Sequence, residues 1–295
     1  MNDIAEKQMQ PRALELLRAQ KVIYRGVKRG QGALLCLSIG LPLLSLWVAT
    51  AHTTARTYLA LIALLVSYVE VFHFERWVRE RIKLAARVQE EIDTRVLGLN
   101  WNAFLVGSYV DPETVAEASA RKLSAKDCDG LLNWYGSKVT VLPLHLARLV
   151  CQRMNVWYDE KLRRNYMRVL VWFAIGIHAF VVGRALMLDS SIEALFLTAL
   201  VPLSPLAIWA LKERNRQEAT CENLQRMNEE VKSLIAGPMS ELSELSLSRR
   251  SRELQDAIYN HRCTSPLIFE WLYELRREKL EVSMHAAAQM LVDDL

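Results

Sequence analysis

No cysteine pair in this sequence has the spacing of a metal or redox site. The five cysteines, Cys36, Cys128, Cys151, Cys221 and Cys263, are scattered and odd in number. That excludes a zinc module or a disulfide framework and fits a reducing compartment. Also absent are a nucleophile elbow, a P-loop, an HExxH helix, a dinucleotide glycine fingerprint and the kinase and deaminase signatures. The six histidines, at 52, 73, 145, 178, 261 and 285, are dispersed. The chain therefore reads as a non-enzyme with neither metal nor cofactor. It lacks a long alternating strand pattern and a fixed-period repeat, so the expected fold class is all-α.

Charge is missing where a soluble protein would carry it. Residues 30–55 contain no Asp, Glu, Lys or Arg, and three further apolar stretches centre near residues 64, 178 and 202. A bilayer span needs about 20 mostly apolar residues, so the sequence predicts a polytopic membrane protein with four transmembrane helices in two hairpins. The expected division is a basic N-terminal helix over 1–31, hairpin one over 32–73, a cytoplasmic helical region over 74–167, hairpin two over 168–211 and cytoplasmic C-terminal helices over 212–295. The spans themselves are expected at about 33–51, 58–72, 169–188 and 192–211, with turns at 52–56 and 189–191.

Net charge after Arg29 is zero. The first 29 residues hold seven basic and three acidic side chains, which accounts for the whole +4 of the chain. The charge therefore does not license a nucleic-acid reading of the bulk protein, no direct DNA or RNA binding is expected, and the excess reads as an orientation signal. Basic flanks mark the cytoplasmic side, so both termini and the 75–167 region are expected in the cytoplasm, with the inner membrane as location. The long basic leader and long apolar run argue against cleavage after Ala49-Thr50-Ala51.

The polar stretches have helical periodicity. Val78, Ile82, Ala85, Ile92 and Val96 follow a heptad-like stripe that ends at Gly98. Asp111-Pro112-Glu113 predicts a helix start with Asp as cap, and residues 113–123 are expected to be helical. Asp127–Gly130 predicts a turn and Asn133–Gly136 an irregular piece. A long helix follows from about Pro143. In the tail, Leu224, Met227, Val231 and Leu234 mark a helix stopped by Gly237-Pro238. A Ser-rich piece over 240–251, a helix near 252–261 and a last helix capped by Ser265-Pro266 complete the pass.

Two sets of residues invite a functional reading. Arg148, Gln152, Asn155, Asp159 and Arg163 recur at steps of four, three, four and four, which places them on one helix face. With Arg153 they can hold a phosphate, while Trp101, Trp134, Tyr135 and Trp157 offer stacking surfaces for bases. The competing reading is a solvated or internally paired stripe. The second set comprises ionisable residues within or beside the spans: Glu70, His178, Arg184 and Glu193. A charge at the bilayer centre is costly, so His178 either lines a hydrated path or bonds inside the bundle. Arg184 and Glu193 either pair or snorkel at the outer turn. Pro202 and Pro205 either bend the fourth span for gating or are simply accommodated there.

Several runs of residues together resemble a known family. They are Leu16-Leu17-Arg18-Ala19-Gln20 with Tyr24, Val88-Gln89-Glu90-Glu91-Ile92-Asp93, and Gly98-Leu99-Asn100-Trp101-Asn102 with Gly107. Asp111-Pro112-Glu113, Asn133-Trp134-Tyr135 and Cys151-Gln152-Arg153-Met154-Asn155 before Leu162-Arg163-Arg164 continue the series. Leu254-Gln255-Asp256-Ala257-Ile258-Tyr259 with Arg262 and Pro266 completes it. Over nearly the whole chain this resembles the SMODS-associated four-transmembrane pore-forming effectors of cyclic-oligonucleotide-based antiphage signalling (CBASS).

The resemblance implies a bacterial inner-membrane effector that responds to a cyclic di- or trinucleotide made by a partner nucleotidyltransferase and then permeabilises the membrane. It supplies no ligand-residue pattern to carry over. From residue chemistry the expected ligand set is Trp134, Tyr135, Arg148, Gln152, Arg153, Asn155 and Trp157. Homo-oligomerisation is expected, because four spans make too few walls for a wide pore. Alternatives are a membrane scaffold or receptor subunit binding a protein partner through its heptad-like segments, and a membrane enzyme dependent on His145 or His178.

Overall fold

The structure, a computed structural model, describes residues 2–48, 53–187, 191, 193, 196, 201–236 and 243–294. These residues are helical or in short connections, with no strand among them. In chain order the helices are α1 (Ile4–Lys7), α2 (Pro11–Val48), α3 (Thr53–Val69), α4 (Glu75–Leu97), α5 (Ala103–Val106) and α6 (Pro112–Ser119). They continue with α7 (Ala125–Asp129), α8 (Leu144–Met187), α9 (Val201–Ala236), α10 (Glu244–Thr264) and α11 (Glu270–Asp293). A five-residue π turn, Glu70–Phe74, joins α3 to α4, and a 3-10 turn, Ser137–Val141, precedes α8.

The chain forms two compact units. The first comprises Met1–Val27, Arg79–Leu162 and Thr220–Leu295; the second comprises Lys28–Val78 and Arg163–Ala219. Helices α2, α4, α8 and α9 each supply residues to both.

The first unit has an ordinary apolar core with unusual polar content. The α4 stripe is buried as its spacing predicts: Ile82, Ala85, Ile92 and Val96 are all inside, with Leu146, Leu149 and Val150 of α8 and Leu254 and Ile258 of α10. Glu90, Gln152, Ser251 and Gln255 are as completely buried as the leucines.

The second unit inverts this pattern. Leu61, Leu64, Leu65, Val69, Val71 and Phe72 lie exposed, as do Trp172, Phe173, Ile175 and Phe180. Contiguous exposed apolar surface on this scale marks contact with lipid or a partner. Two helical stretches here, Thr57–Leu97 and Leu144–Gly183, include segments long and apolar enough to cross a bilayer. The sequence predicts four. The first expected span lies within α2 as far as Val48, and the fourth is described at 193, 196 and 201–211, the last part opening α9. Within this unit Gly30 permits a close approach: a Cβ there would stand 3.2 Å from both the Phe74 and Trp77 rings.

Several local expectations are corrected. Residues 53–56 open α3 instead of forming a turn. The helix expected over 113–123 runs from Pro112 to Ser119, and the Asp111 side chain makes no cap bond. Asp127 belongs to a short helix, because the Ser124 hydroxyl accepts from the Asp127 amide and the Asp127 carboxylate accepts from the Ser124 amide. This reciprocal capping box holds one turn together. The Ser-rich piece is mostly helical, with Ser243 as the N-cap of α10. The last helix starts at Glu270, not at the Ser265-Pro266 step. The expected stop at Gly237-Pro238 and the Asp189-Ser190 part of the outer turn lie outside the described residues.

Candidate functional site

Helix α8 carries the predicted polar face, with Gln152 and Arg163 buried, Arg148, Asn155 and Asp159 half-buried, and each of the five internally paired. Gln152 Nε2 donates to Ser251 O at 2.8 Å and to Gln255 Oε1 at 3.0 Å, and the Ser251 hydroxyl donates to Gln152 Oε1 at 2.9 Å. Gln255 Nε2 in turn donates to Glu90 Oε2 at 2.8 Å and Asp93 Oδ2 at 2.9 Å. Two guanidinium groups close the network. Arg252 bonds Glu90 at 2.7 Å and Asp256 at 2.7 Å, and Arg262 bonds Asp93 at 2.5 Å.

Burial and charge compete in this network. Burial raises the pKa of Glu90, helped by the Asp93 charge and opposed by Gln255 and Arg252. Burial also works against the charge on Arg262, but Asp93 and Glu90 more than offset it, so its pKa is raised. A buried carboxylate is stable only when its lone pairs are met by donors, and Gln255 meets those the arginines leave over. The arrangement ties α4, α8 and α10 in fixed register.

The other predicted ligand residues on this face are also occupied. Arg148 donates from Nε to Leu97 O at 2.7 Å and from Nη2 to Gly98 O at 2.5 Å, satisfying carbonyls orphaned at the end of α4. Gly98 sits at φ +62, the left-handed conformation that closes a helix. Burial lowers the Arg148 pKa. Asn155 accepts from Trp134 Nε1 at 2.8 Å and donates to the Tyr135 hydroxyl at 2.8 Å. The Tyr135 backbone is gripped by Gln8, whose amide donates to Tyr135 O and accepts from Tyr135 N, each at 2.8 Å. Burial raises the Tyr135 pKa well above its usual value, and the Asp93 charge adds to this. Asp159 pairs with His261 at 3.0 Å. In the second unit Arg163 donates to Gln217 Oε1 at 2.7 Å, and Gln217 donates to Glu213 at 2.8 Å.

Arg153 and Trp157 stand apart from this face. Both are half-buried. Burial alone lowers the Arg153 pKa, and its Nε is buried without a hydrogen-bond partner. The Trp157 ring has the Lys161 ammonium 5.9 Å from its centroid. Lys161 is not among the residues expected from the sequence, although its i+4 spacing from Trp157 and i+8 spacing from Arg153 was there to read.

Of the residues expected near the membrane, Glu70 opens the π turn and is half-buried. His178 Nδ1 donates to Ala174 O, one turn back in its own helix, at 2.8 Å. Arg184 lies on α8. Glu193 is exposed. Pro202 and Pro205 fall within the first five residues of α9.

Comparison with known proteins agrees with this architecture. A probable CBASS effector molecule of Bacillus cereus strain VD146 is 26% identical over 289 residues, covering 95% of each chain. No solved structure matches. Residues 2–291 match the model of the SMODS-associating 4TM effector domain. By this match over nearly its whole length, and in keeping with its exposed apolar helices, the chain belongs to the SMODS-associating 4TM effector family, membrane proteins of CBASS antiphage defence.

Proposed function

We propose that this protein is the membrane-acting arm of a cyclic-oligonucleotide antiphage system. A cyclic di- or trinucleotide binds its first unit, and the protein then permeabilises the inner membrane to kill the cell or arrest its growth. The observation that carries this reading is the exposed apolar surface of the second unit, in a chain whose first unit has an ordinary buried core. In the proposal four spans form two hairpins with both termini cytoplasmic. Ligand binding favours one of two packings of the first unit, and the change travels along α4 and α8, which supply residues to both units. Several copies assemble. The exposed Trp271, Leu275, Val282 and Met290 on α11 supply apolar surface for contact with a second copy.

The test is dye release from liposomes carrying the purified protein, with a panel of cyclic di- and trinucleotides, alongside membrane potential in cells that co-express an active synthase. Release by a panel member and collapse of the potential are the expected results. No release with any member, together with an intact potential, ends this reading and favours a scaffold that binds a protein partner.

A further inference from the structure

We infer that Arg153, Trp157 and Lys161, on three successive turns of one face of α8, take the phosphodiester and base of the activating signal. This rests on the function proposed above and narrows the predicted ligand set to one face. A phosphate at Arg148, Gln152 or Asn155 would have to break bonds already made to Leu97, Gly98, Ser251, Gln255 and Tyr135. A phosphate at Arg153, Trp157 or Lys161 breaks no hydrogen bond among the described residues.

Charge pairing sets these residues apart. In the same unit Arg12, Arg25, Arg252, Arg262 and Arg277 each lie on a carboxylate. Arg153 has no ion pair among the described residues, and its Nε is out of solvent with nothing to donate to. Withdrawing a cation from water without an anion is unfavourable, so the position is one that an incoming anion relieves. Lys161 likewise has no carboxylate among the described residues. Its ammonium lies 5.9 Å from the Trp157 ring, close to the roughly 6 Å limit of a useful cation–π contact, and it can swing to a phosphate at little cost. Between the two cations the indole offers a planar apolar surface of the kind on which bases stack. On α11, Tyr273, Arg277 and Glu281 act on Tyr158, the residue next to Trp157. The same helix carries Arg276, whose Nε, like those of Arg87, Arg163 and Arg252, is also buried without a partner. A guanidinium, an indole and an ammonium on successive turns of one helix face suit a phosphodiester joined to a base. An anionic lipid headgroup shares only the phosphodiester.

The experiment uses the full chain in zwitterionic nanodiscs, with Arg153→Gln, Lys161→Gln and Trp157→Leu variants and Arg153→Lys as the charge-retaining control. Affinity for each cyclic di- and trinucleotide is measured by titration, binding to phosphatidylglycerol vesicles separately, and melting temperature without ligand. The expected result is a loss of affinity of about tenfold to a hundredfold in Arg153→Gln and of similar size in Trp157→Leu. Arg153→Lys is expected to restore part of the loss, and Arg153→Gln to melt no lower than the parent, because it removes a half-buried charge that has no ion pair among the described residues. If a nucleotide binds the parent and these variants equally, the inference is wrong while the proposed function stands. Binding of vesicles but of no nucleotide, abolished by Arg153→Gln, overturns the inference and the nucleotide reading together and assigns the face to lipid. Both also fall if the parent binds neither probe. A melting temperature several degrees below the parent's in Arg153→Gln would make Arg153 structural and overturn the inference on its own.

Discussion

Gln255 and Asp93 meet in the centre of the first unit, the amide Nε2 donating to Asp93 Oδ2 at 2.9 Å although 162 residues separate them. The same nitrogen donates to Glu90 Oε2 at 2.8 Å. One neutral side chain thus supplies both donors that two buried carboxylates need beyond their arginines. Gln255→Leu keeps the volume roughly constant but leaves two buried acceptors and the Gln152 amide short of partners. It is expected to destabilise the protein by about 3 kcal/mol, read from the chemical denaturation midpoint in detergent. A loss under about 1 kcal/mol would mean that water reaches the network.

Arg148 should behave as a clamp on the α4 terminus. Lysine keeps the charge but cannot place two donors on the Leu97 and Gly98 carbonyls together, so Arg148→Lys is expected to lose about 1 kcal/mol, and Arg148→Ala about 2 kcal/mol. Gly98→Ala adds to the case from the other side, since its left-handed φ costs about 1 kcal/mol for a residue with a Cβ. Combining it with Arg148→Ala should give less than the sum, because both loosen one terminus. Strict additivity in that double mutant would break the assignment.

Asn155 is expected to be a stability residue and not a ligand contact. Asn155→Leu removes the acceptor of Trp134 and a partner of the buried Tyr135 hydroxyl, for about 2 to 3 kcal/mol. Its signature should be a lower melting temperature and altered Trp134 emission, with nucleotide affinity of the folded fraction changed less than twofold. A tenfold affinity loss at unchanged melting temperature would return Asn155 to the ligand set.

The sequence revealed which residues share a face, but not which way the face points. Arg148, Gln152, Asn155, Asp159 and Arg163 have helical spacing that any reader can count. Their partners Ser251, Gln255 and His261 lie about a hundred residues away, and spacing carries no information at that range. The α4 stripe was legible because apolar residues have one stable destination. Polar residues have two, solvent or an internal partner, and only tertiary structure distinguishes them. The runs that carried the family resemblance include Glu90, Asp93, Asn102, Trp134, Tyr135, Gln152, Asn155, Gln255, Asp256 and Arg262, most of them members of the internal polar networks. The resemblance was therefore one of core architecture, which explains why it named a family without pointing to a ligand contact. Short-range signals were missed for a different reason: Ser124-x-x-Asp127 is a capping box in plain sequence, overlooked because Asp-Cys-Asp-Gly looks like a turn.

Asp127 supplies a pH test. Its carboxylate receives Arg25 at 2.6 and 2.8 Å and Lys21 at 2.8 Å, tying α2 to α7. Arg25 is the main cause that holds its pKa well below the usual 3.8, with Lys21 and Ser124 adding to the effect against the opposing influence of burial. A carboxylate with a depressed native pKa adds stability that is complete above its unfolded value and is lost as pH falls through the native one. Asp127→Asn removes that contribution at neutral pH, for about 2 kcal/mol. The gap between parent and variant should therefore stay constant from pH 7 to about pH 5 and shrink progressively below about pH 4, as the unfolded parent takes up a proton that Arg25 keeps off the folded one. Denaturation midpoints of the two proteins at pH 7, 5 and 3 measure this directly. A gap as wide at pH 3 as at pH 7 would show that Asp127 acts through shape and the Ser124 capping box, not through its charge on Arg25.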